Sequence, residues 1–386
     1  MATSTISPSL KIGLRLLGVW PDVSYSTVYW VIYMSSLLII QYFQYLYVFT
    51  HFKLSELSNL VDSLPMTLDY SLSIFKLTSL WLQRRIMQQI LIAMDKDWRE
   101  CMDVNQYLYV MTIKANVSHF FSNTILSFYG ISGVFYVLGD YAIHIMHLVS
   151  DNNDTLRQLP MKVQLPFETE QSPIFEVLVV TLFLHVMANS FTIALLNGLI
   201  FSLVLHVSGQ IDIICEEFRI ISEKILLYES SASTLRTLIE RHNKVILFSD
   251  NIEKLFSFIA LMQVVWNTLV MCCLGFIIII SIHNEGSLFV LIKTILAYIA
   301  MMIEAFIFCF AGEYLSLKSN AIAEAAYDVL WYNLPSNQSK IIIFVIMRSY
   351  RRLTITAGKI MDLSLETFAS IMKASASYIS VFHAMY

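Results

Sequence analysis

Charged residues are scarce in this sequence, and no hydrophilic stretch is long enough to form a soluble domain. Only 14% of the 386 residues are Asp, Glu, Lys or Arg, whereas a soluble globular protein carries roughly 25%. Hydrophobic residues make up 57% of the chain, and its mean hydropathy is +0.64. This balance excludes a soluble protein and predicts a polytopic membrane protein.

The sequence also lacks the features of several functional classes. The net charge is −4 and no long basic run is present, which argues against a nucleic-acid partner. There is no phosphate-binding loop, nucleophile elbow or zinc-hydrolase motif, so the sequence predicts neither an enzyme nor a cofactor. His144 and His147 are three residues apart without a third ligand nearby, so no metal site is predicted. All five cysteines fall in segments that we place in the membrane or on its cytoplasmic side, which excludes an extracellular disulfide.

Long apolar segments fill most of the chain. A spanning helix needs about 20 mainly apolar residues, and seven segments meet that requirement. No cleavable signal precedes them, so the first span is expected to direct the chain to the membrane. We expect Pro65 to kink the second span. The seven predicted spans are residues 28–50, 54–82, 120–148, 173–207, 255–283, 287–315 and 363–386.

Lysines and arginines predict the orientation, because they accumulate on the cytoplasmic side. With a cytoplasmic N-terminus, most of them fall inside, and only Lys53, Arg157, Lys162 and Lys293 fall outside. The sequence therefore predicts a cytoplasmic N-terminus and an extracellular C-terminus.

A G-protein-coupled receptor has the reverse orientation, and its Asp-Arg-Tyr and Asn-Pro-x-x-Tyr motifs are missing from this sequence. A metabotropic receptor nevertheless stays open as an alternative. A transporter should show internal repeats or broken helices at mid-membrane, and the sequence has neither.

Two connectors are long. The inner one, residues 208–254, has apolar residues at helical spacing on both sides of a turn at 229–233. This spacing predicts that spans four and five continue as helices into the cytoplasm. There they are expected to pack with residues 321–352 as an anchor bundle, and the alternative is a loose helical hairpin.

The outer connector, residues 150–172, contains prolines and the glycosylation sequon at Asn153. The sequons at Asn116 and Asn337 lie inside by this orientation and are discounted.

The C-terminal seventy residues carry a distinctive series of motifs. They run from an amphipathic stretch ending at Pro335, through three arginines and a Thr-Ala-Gly-Lys turn, into a final apolar helix. The characteristic residues are Ser319, Tyr327, Trp331, Tyr332, Leu334, Pro335, Arg348, Thr356, Ala357, Gly358, Lys359, Leu363, Phe368, Ser377, Tyr378 and Val381. This series resembles the signature of the insect odorant receptors. Residues 360–362 depart from that signature, because many relatives carry an aromatic-rich turn there.

The resemblance implies a subunit of an odorant-gated, non-selective cation channel, a hetero-oligomer such as a tetramer, in the plasma membrane of sensory dendrites. Family members assemble with one shared co-receptor, and the compact inner connector here makes this chain look like the ligand-tuning partner. On this basis residues 1–318 hold spans one to six with an outer-half ligand pocket, and residues 319–386 hold the anchor helix and the pore-lining seventh helix. A gustatory-type channel is the nearest alternative.

The last helix carries a stripe of small residues suited to close packing. Ala374, Ser377, Val381 and Ala384 lie on one face, and Met385 lies beside them. By its position in the family signature, Val381 resembles a hydrophobic gate, which blocks ions by dewetting. The alternative is that this face packs against a neighbouring helix of the same subunit. Glu366 and Lys373 are charges within the last span, and intramembrane charges are usually functional, the alternative for Lys373 being an ion pair or an ammonium that extends to the membrane interface.

A volatile ligand is small and mostly apolar, so its pocket should be apolar with one or two polar groups. The resemblance places it between spans two, three, four and six, with Gly130 and Gly133 leaving room. His185 and Asn189 are the most distinctive pair, because polar side chains in a span should face inward. Ordinary helix packing is the alternative for each candidate. The candidates are Met66, Tyr70, Ile74, Ile131, Val134, Phe135, Leu138, His185, Asn189, Trp266, Tyr298 and Met301, with Met302 beside them.

Overall fold

The structure, a computed structural model, describes residues 4–21, 25–52, 57–149, 159–169, 171–226, 232–283 and 288–385. Side chains are described for these residues except 57–62, 138–149, 232, 283, 289 and 382–385. The described residues form ten α-helices, one turn of 3-10 helix (Trp331–Asn333) and one short β-hairpin. The helices are α1 (Pro8–Leu16), α2 (Ser26–Thr50), α3 (Leu57–Leu82), α4 (Arg84–Met102), α5 (Asn105–Val149), α6 (Ile174–Leu226), α7 (Ala232–His283), α8 (Leu288–Asp328), α9 (Ser336–Ser349) and α10 (Leu365–Met385).

The helices confirm the predicted all-helical membrane fold. Among the described residues, α2, α5, α6, α7 and α8 are long and apolar enough to cross a membrane by length and composition. The other two predicted spans correspond to α3 and α10, which are helical but more polar. Helix α3 continues through Pro65 without a break. The side of the membrane that each terminus faces stays a prediction.

Helix α6 is the centre of the fold. From residue 192 to residue 211 every one of its side chains is buried, because α1, α5, α7 and α8 surround it. Apolar residues cover all its faces there, as expected for a helix enclosed by others. Stacked rings of Phe121 on α5 and Phe201 on α6, with centroids 3.6 Å apart, form one of these contacts.

Two helical segments lie where the sequence analysis assigned only a connector between spans two and three. Helix α4 is amphipathic, and α5 begins fifteen residues before the predicted third span. In α4 the buried side chains include Met87, Ile90, Met94 and Trp98. Their i, i+3, i+7, i+11 spacing is a helix signal that was present in the sequence.

The predicted extensions of spans four and five are helical and packed together. Arg241 on α7 donates to the carboxylate of Glu217 on α6 across 3.1 Å and to the amide oxygen of Gln210 across 3.0 Å. The ammonium of Lys318 on α8 lies 2.8 Å from a carboxylate oxygen of Asp212 on α6. Three helices are thus joined beyond the predicted spans. Since α8 is continuous through residues 318 and 319, the predicted anchor segment begins within it.

The β-hairpin connects α9 to α10 and is bound to α7. Strands β1 (Thr356–Ala357) and β2 (Met361–Asp362) are antiparallel, and Gly358 and Lys359 between them have φ values of 62° and 60°. The amides of Thr356 and Gly358 donate to the carboxylate of Glu253 and the carbonyl of Ser257, each across 2.8 Å. The hairpin that leads into α10 is therefore fixed to α7 by hydrogen bonds from two of its main-chain amides.

Gly312 on α8 provides a first prediction, because the chain leading into α10 crosses it closely. A Cβ atom at Gly312 would overlap the carbonyl oxygen of Leu363. We expect Gly312→Ala to destabilise the protein by about 1–3 kcal/mol, since the backbone must move to make room. Gly198→Ala is the matched control, because its Cβ would meet its neighbours no closer than 3.4 Å. Thermal unfolding in detergent would measure both, and equal midpoints for the two variants would contradict the prediction.

Candidate functional site

A cavity of about 130 Å³ lies between five helices, α3, α5, α6, α7 and α8. These include the four spans between which the sequence analysis placed the pocket. Its wall is mostly apolar, with a few polar groups on α3, α5, α6 and α8. The residues that line it are Pro65, Met66, Asp69, Tyr129, Ser132, Gly133, Tyr136, Val186, Asn189, Ser190, Ile193, Val270, Leu274, Ile277, Lys293, Thr294, Leu296, Ala297, Ala300 and Met301.

Three of the predicted pocket residues, Met66, Asn189 and Met301, lie in this wall, together with Gly133. The remaining candidates are distributed around it. Tyr70 is fully buried in the helix packing, and Ile131 and Phe135 are exposed on the outer surface of α5. The Leu138 side chain, like those of His144 and His147, lies outside the described residues. Ile74, Val134, His185, Trp266, Tyr298 and Met302 are partly buried outside the lining set.

The polar part of the wall contains residues that the sequence analysis did not select. The side-chain amide of Asn189 donates to a carboxylate oxygen of Asp69 across 2.7 Å. The hydroxyl of Tyr129 donates to the carbonyl of Ala300 across 3.0 Å. The ammonium of Lys293 lies 4.1 Å from the centre of the Tyr136 ring, a cation–π contact. Asp69 falls inside a predicted span, and that position was itself the signal for a functional residue.

An ion pair between Lys76 on α3 and Glu304 on α8 lies deeper in the same bundle. Each side chain is only 1% exposed, and the ammonium is also 5.6 Å from the centre of the Phe308 ring. Lys76 thus supplies the partner of Glu304, an acid in the middle of a predicted span. The pair lies among helices that form the cavity.

Helix α10 presents two different faces. Ile371 and Ser375 are buried against α7 and α8, and Ile379 packs on Gly275 of α7. The opposite face is exposed along its described length and is mostly small and polar, with Val381 near its end; Leu365 and Tyr378, towards its borders, are exposed as well. Its members include Glu366, Ser370, Lys373, Ser377, Ser380 and Val381. Of the predicted pore residues, Ser377 and Val381 are therefore on the open face, whereas the side chains of Ala384 and Met385 lie outside the described residues, as does Asn153.

Comparisons with known proteins agree on one family. The model of the 7tm Odorant receptor family matches residues 56–376. Odorant receptor 22c of Drosophila melanogaster is 28% identical over 235 residues, which is 58% of this chain and 57% of that protein. Odorant receptor 10 of Aedes albopictus is 27% identical over 240 residues, 60% of this chain and 61% of that protein. The chain thus matches about three fifths of the length of these relatives.

A solved structure reproduces the fold over almost the whole chain. The olfactory receptor OR5 from Machilis hrabei, in complex with eugenol, superposes with a TM-score of 0.77 at 15% sequence identity. The match covers 98% of this chain and 97% of that receptor. A shorter match, 25% identical over 150 residues, 39% of this chain and 30% of that protein, is to the Odorant receptor coreceptor of Aedes aegypti.

Proposed function

This chain belongs to the odorant receptor family, and on that premise we propose that it is the ligand-tuning subunit of an odorant-gated, non-selective cation channel. It is a receptor and not an enzyme. It binds a small volatile molecule in the cavity between α3, α5, α6, α7 and α8, and α10 lines the pore. It works with a co-receptor subunit, as a hetero-oligomer such as a tetramer, in the plasma membrane of sensory dendrites. Its N-terminus is cytoplasmic and its C-terminus extracellular.

The observation that carries the pore assignment is the open face of α10. A helix bound to its own subunit on one side and exposed on the other needs lipid, protein or water against the second face. Serines and charges make lipid a poor environment for that face. Copies of α10 around a central axis would place Glu366, Lys373 and Ser377 against water. Val381, which is 56% exposed, would provide the narrow apolar ring that closes such a pore.

The contacts of α7 support a direct route from the cavity to the pore. Leu274 lines the cavity, and the adjacent Gly275 is the residue against which Ile379 of α10 packs. On α8, Met301 lines the cavity, and Phe306 makes an edge-to-face contact with Phe368 of α10, with ring centroids 5.6 Å apart. A ligand that separates α7 from α8 would therefore move the two surfaces that hold α10.

The surface of α9 supports assembly with other subunits. Phe344, Met347 and Tyr350 are each more than 60% exposed, although the predicted topology places this helix outside the membrane. Exposed apolar side chains of this kind are typical of protein interfaces. We assign them to contacts between subunits, including the co-receptor.

Cysteine substitution on the two faces of α10 tests the pore assignment. Cells expressing the chain with a co-receptor would be recorded as excised patches without nucleotides, and volatiles applied. A charged thiol reagent should block the current of Ser377→Cys and leave Ser375→Cys, its buried neighbour, unaffected, because only the first faces the pore. The unsubstituted chain controls for its native cysteines. Equal block of the current in both variants, or no block in either, would contradict the pore assignment. A current that requires GTP would favour the metabotropic alternative.

A further inference from the structure

We propose that the cavity selects ligands that carry a hydrogen-bond donor, a hydroxyl or a primary amine, on a body of about one ring, and that Asp69 binds this donor. The inference rests on the proposed function only in taking the cavity to be the ligand site. It adds the chemical class of the ligand, which an apolar cavity alone would leave open.

The size of the cavity limits the body of the ligand. At about 130 Å³ it is close to an engineered apolar cavity of about 150 Å³ in another protein, which binds benzene. The apolar wall and the rings of Tyr129 and Tyr136 suit an aromatic or short aliphatic body. A single ring with one small polar group therefore fills the space.

Two hydrogen-bond acceptors lie side by side in the polar wall. The side-chain amide of Asn189 donates to one oxygen of Asp69, and the other Asp69 oxygen accepts no hydrogen bond from the described residues. Since the Asn189 nitrogen makes this bond, the Asn189 oxygen is the second acceptor, and it is buried without a partner, which is unfavourable. Asp69 is only partly buried and lines the cavity. A hydroxyl or amine hydrogen of a ligand can be donated to either acceptor.

The neighbouring cations do not satisfy these acceptors. Lys76 is paired with Glu304, and the ammonium of Lys293 lies over the Tyr136 ring. No ion pair reaches Asp69 from either lysine in the described part of the chain. The donor is therefore expected to come from the ligand, and a charged or neutral donor can fill the role.

Three molecules of equal heavy-atom count test the proposal: benzyl alcohol, benzylamine and ethylbenzene. Binding to the full-length protein in detergent would be measured from the rise in its unfolding temperature with ligand concentration. We expect at least one donor to bind about tenfold or more tightly than ethylbenzene, the difference made by a hydrogen bond to a carboxylate. The relative affinities of benzylamine and benzyl alcohol show whether charge or the hydrogen bond dominates.

Variants then locate the donor site. Asp69→Leu should abolish the preference for the donors and retain ethylbenzene binding, which also shows that the variant is folded. Thr78→Val, on the same helix as Asp69 but outside the cavity wall, should keep the wild-type preference, because the Thr78 hydroxyl donates only to the carbonyl of Ile74. Partitioning into detergent is the same for all variants, so it cancels in the comparison.

Two results would overturn the proposal. The first is that ethylbenzene binds the wild-type protein as tightly as both donors do. This comparison uses the wild-type protein alone, so it does not depend on the folding of any variant. The other is that none of the three probes binds at all, which would reject the ligand class. Because binding is measured without channel opening, either result leaves the channel function to the recordings described above. A donor preference without any current would uphold the ligand class and reject the channel.

Discussion

Replacing Glu304 by leucine should destabilise this protein by about 3–5 kcal/mol, the typical cost of removing one partner from a buried ion pair. The Lys76 ammonium would lose its carboxylate partner while its side chain stays only 1% exposed, with the Phe308 ring centre 5.6 Å away. Lys76 forms an ion pair with no other acid among the described residues, and a charge within the membrane is costly. We expect low yield and a strongly lowered unfolding temperature in detergent.

Replacing Lys76 by methionine in the same chain should restore most of the lost stability. Two apolar side chains of similar size leave no buried charge, and such double replacements are often neutral or stabilising. Glu240→Leu is a matched control, because Glu240 pairs with Arg236 on an exposed surface, where the side chains are 62% and 82% exposed. Its effect should be within about 0.5 kcal/mol. A Glu304→Leu protein as stable as the double variant would show that the pair carries no such energy.

The helices could be predicted from the sequence to different degrees. The apolar runs predicted well the five helices that are long and apolar enough to cross a membrane, because burial in lipid and burial in protein require the same composition. The amphipathic α4 was missed, since a search for uniformly apolar segments passes over a helix with one polar face. The continuation of α8 through residue 318 was also missed. Its hydropathy falls there, but nothing in the sequence interrupts the helix, and composition marks the membrane boundary rather than the helix end.

The cavity shows a different limit. The helices that form it could be inferred, but the rotation of each helix could not, because apolar residues occupy every face of a membrane helix. Ile131 and Phe135 were chosen by chemistry and point away from the bundle. Polar residues were better guides: Asn189 lines the cavity, as does Asp69, which the sequence analysis passed over. A charged or amide side chain within a span has only one favourable direction, which is inward.

The open face of α10 leads to the second large effect, which concerns Lys373. Its neighbours on the buried side, Ile371 and Ser375, fix the rotation of the helix, so Lys373 lies opposite them. It is exposed and has no ion-pair partner among the described residues. In the proposed pore, each copy of this chain contributes one ammonium below the predicted Val381 gate. Such charges repel cations, and the repulsion grows with the number of copies of this chain in the assembly.

Lys373→Gln should therefore raise the single-channel cation conductance, and Lys373→Glu should raise it further. A unit charge about 5 Å from a permeating ion in water contributes roughly 0.8 kcal/mol, so each ammonium removed changes local cation occupancy by about fourfold. Screening reduces this effect in concentrated salt, so the ratio of variant to wild-type conductance should be larger at low ionic strength. Lys340→Gln, an exposed lysine on α9, is the control and should leave conductance unchanged. Conductance of the Lys373 variants equal to wild type at low salt would mean that this face of α10 does not border the ion path.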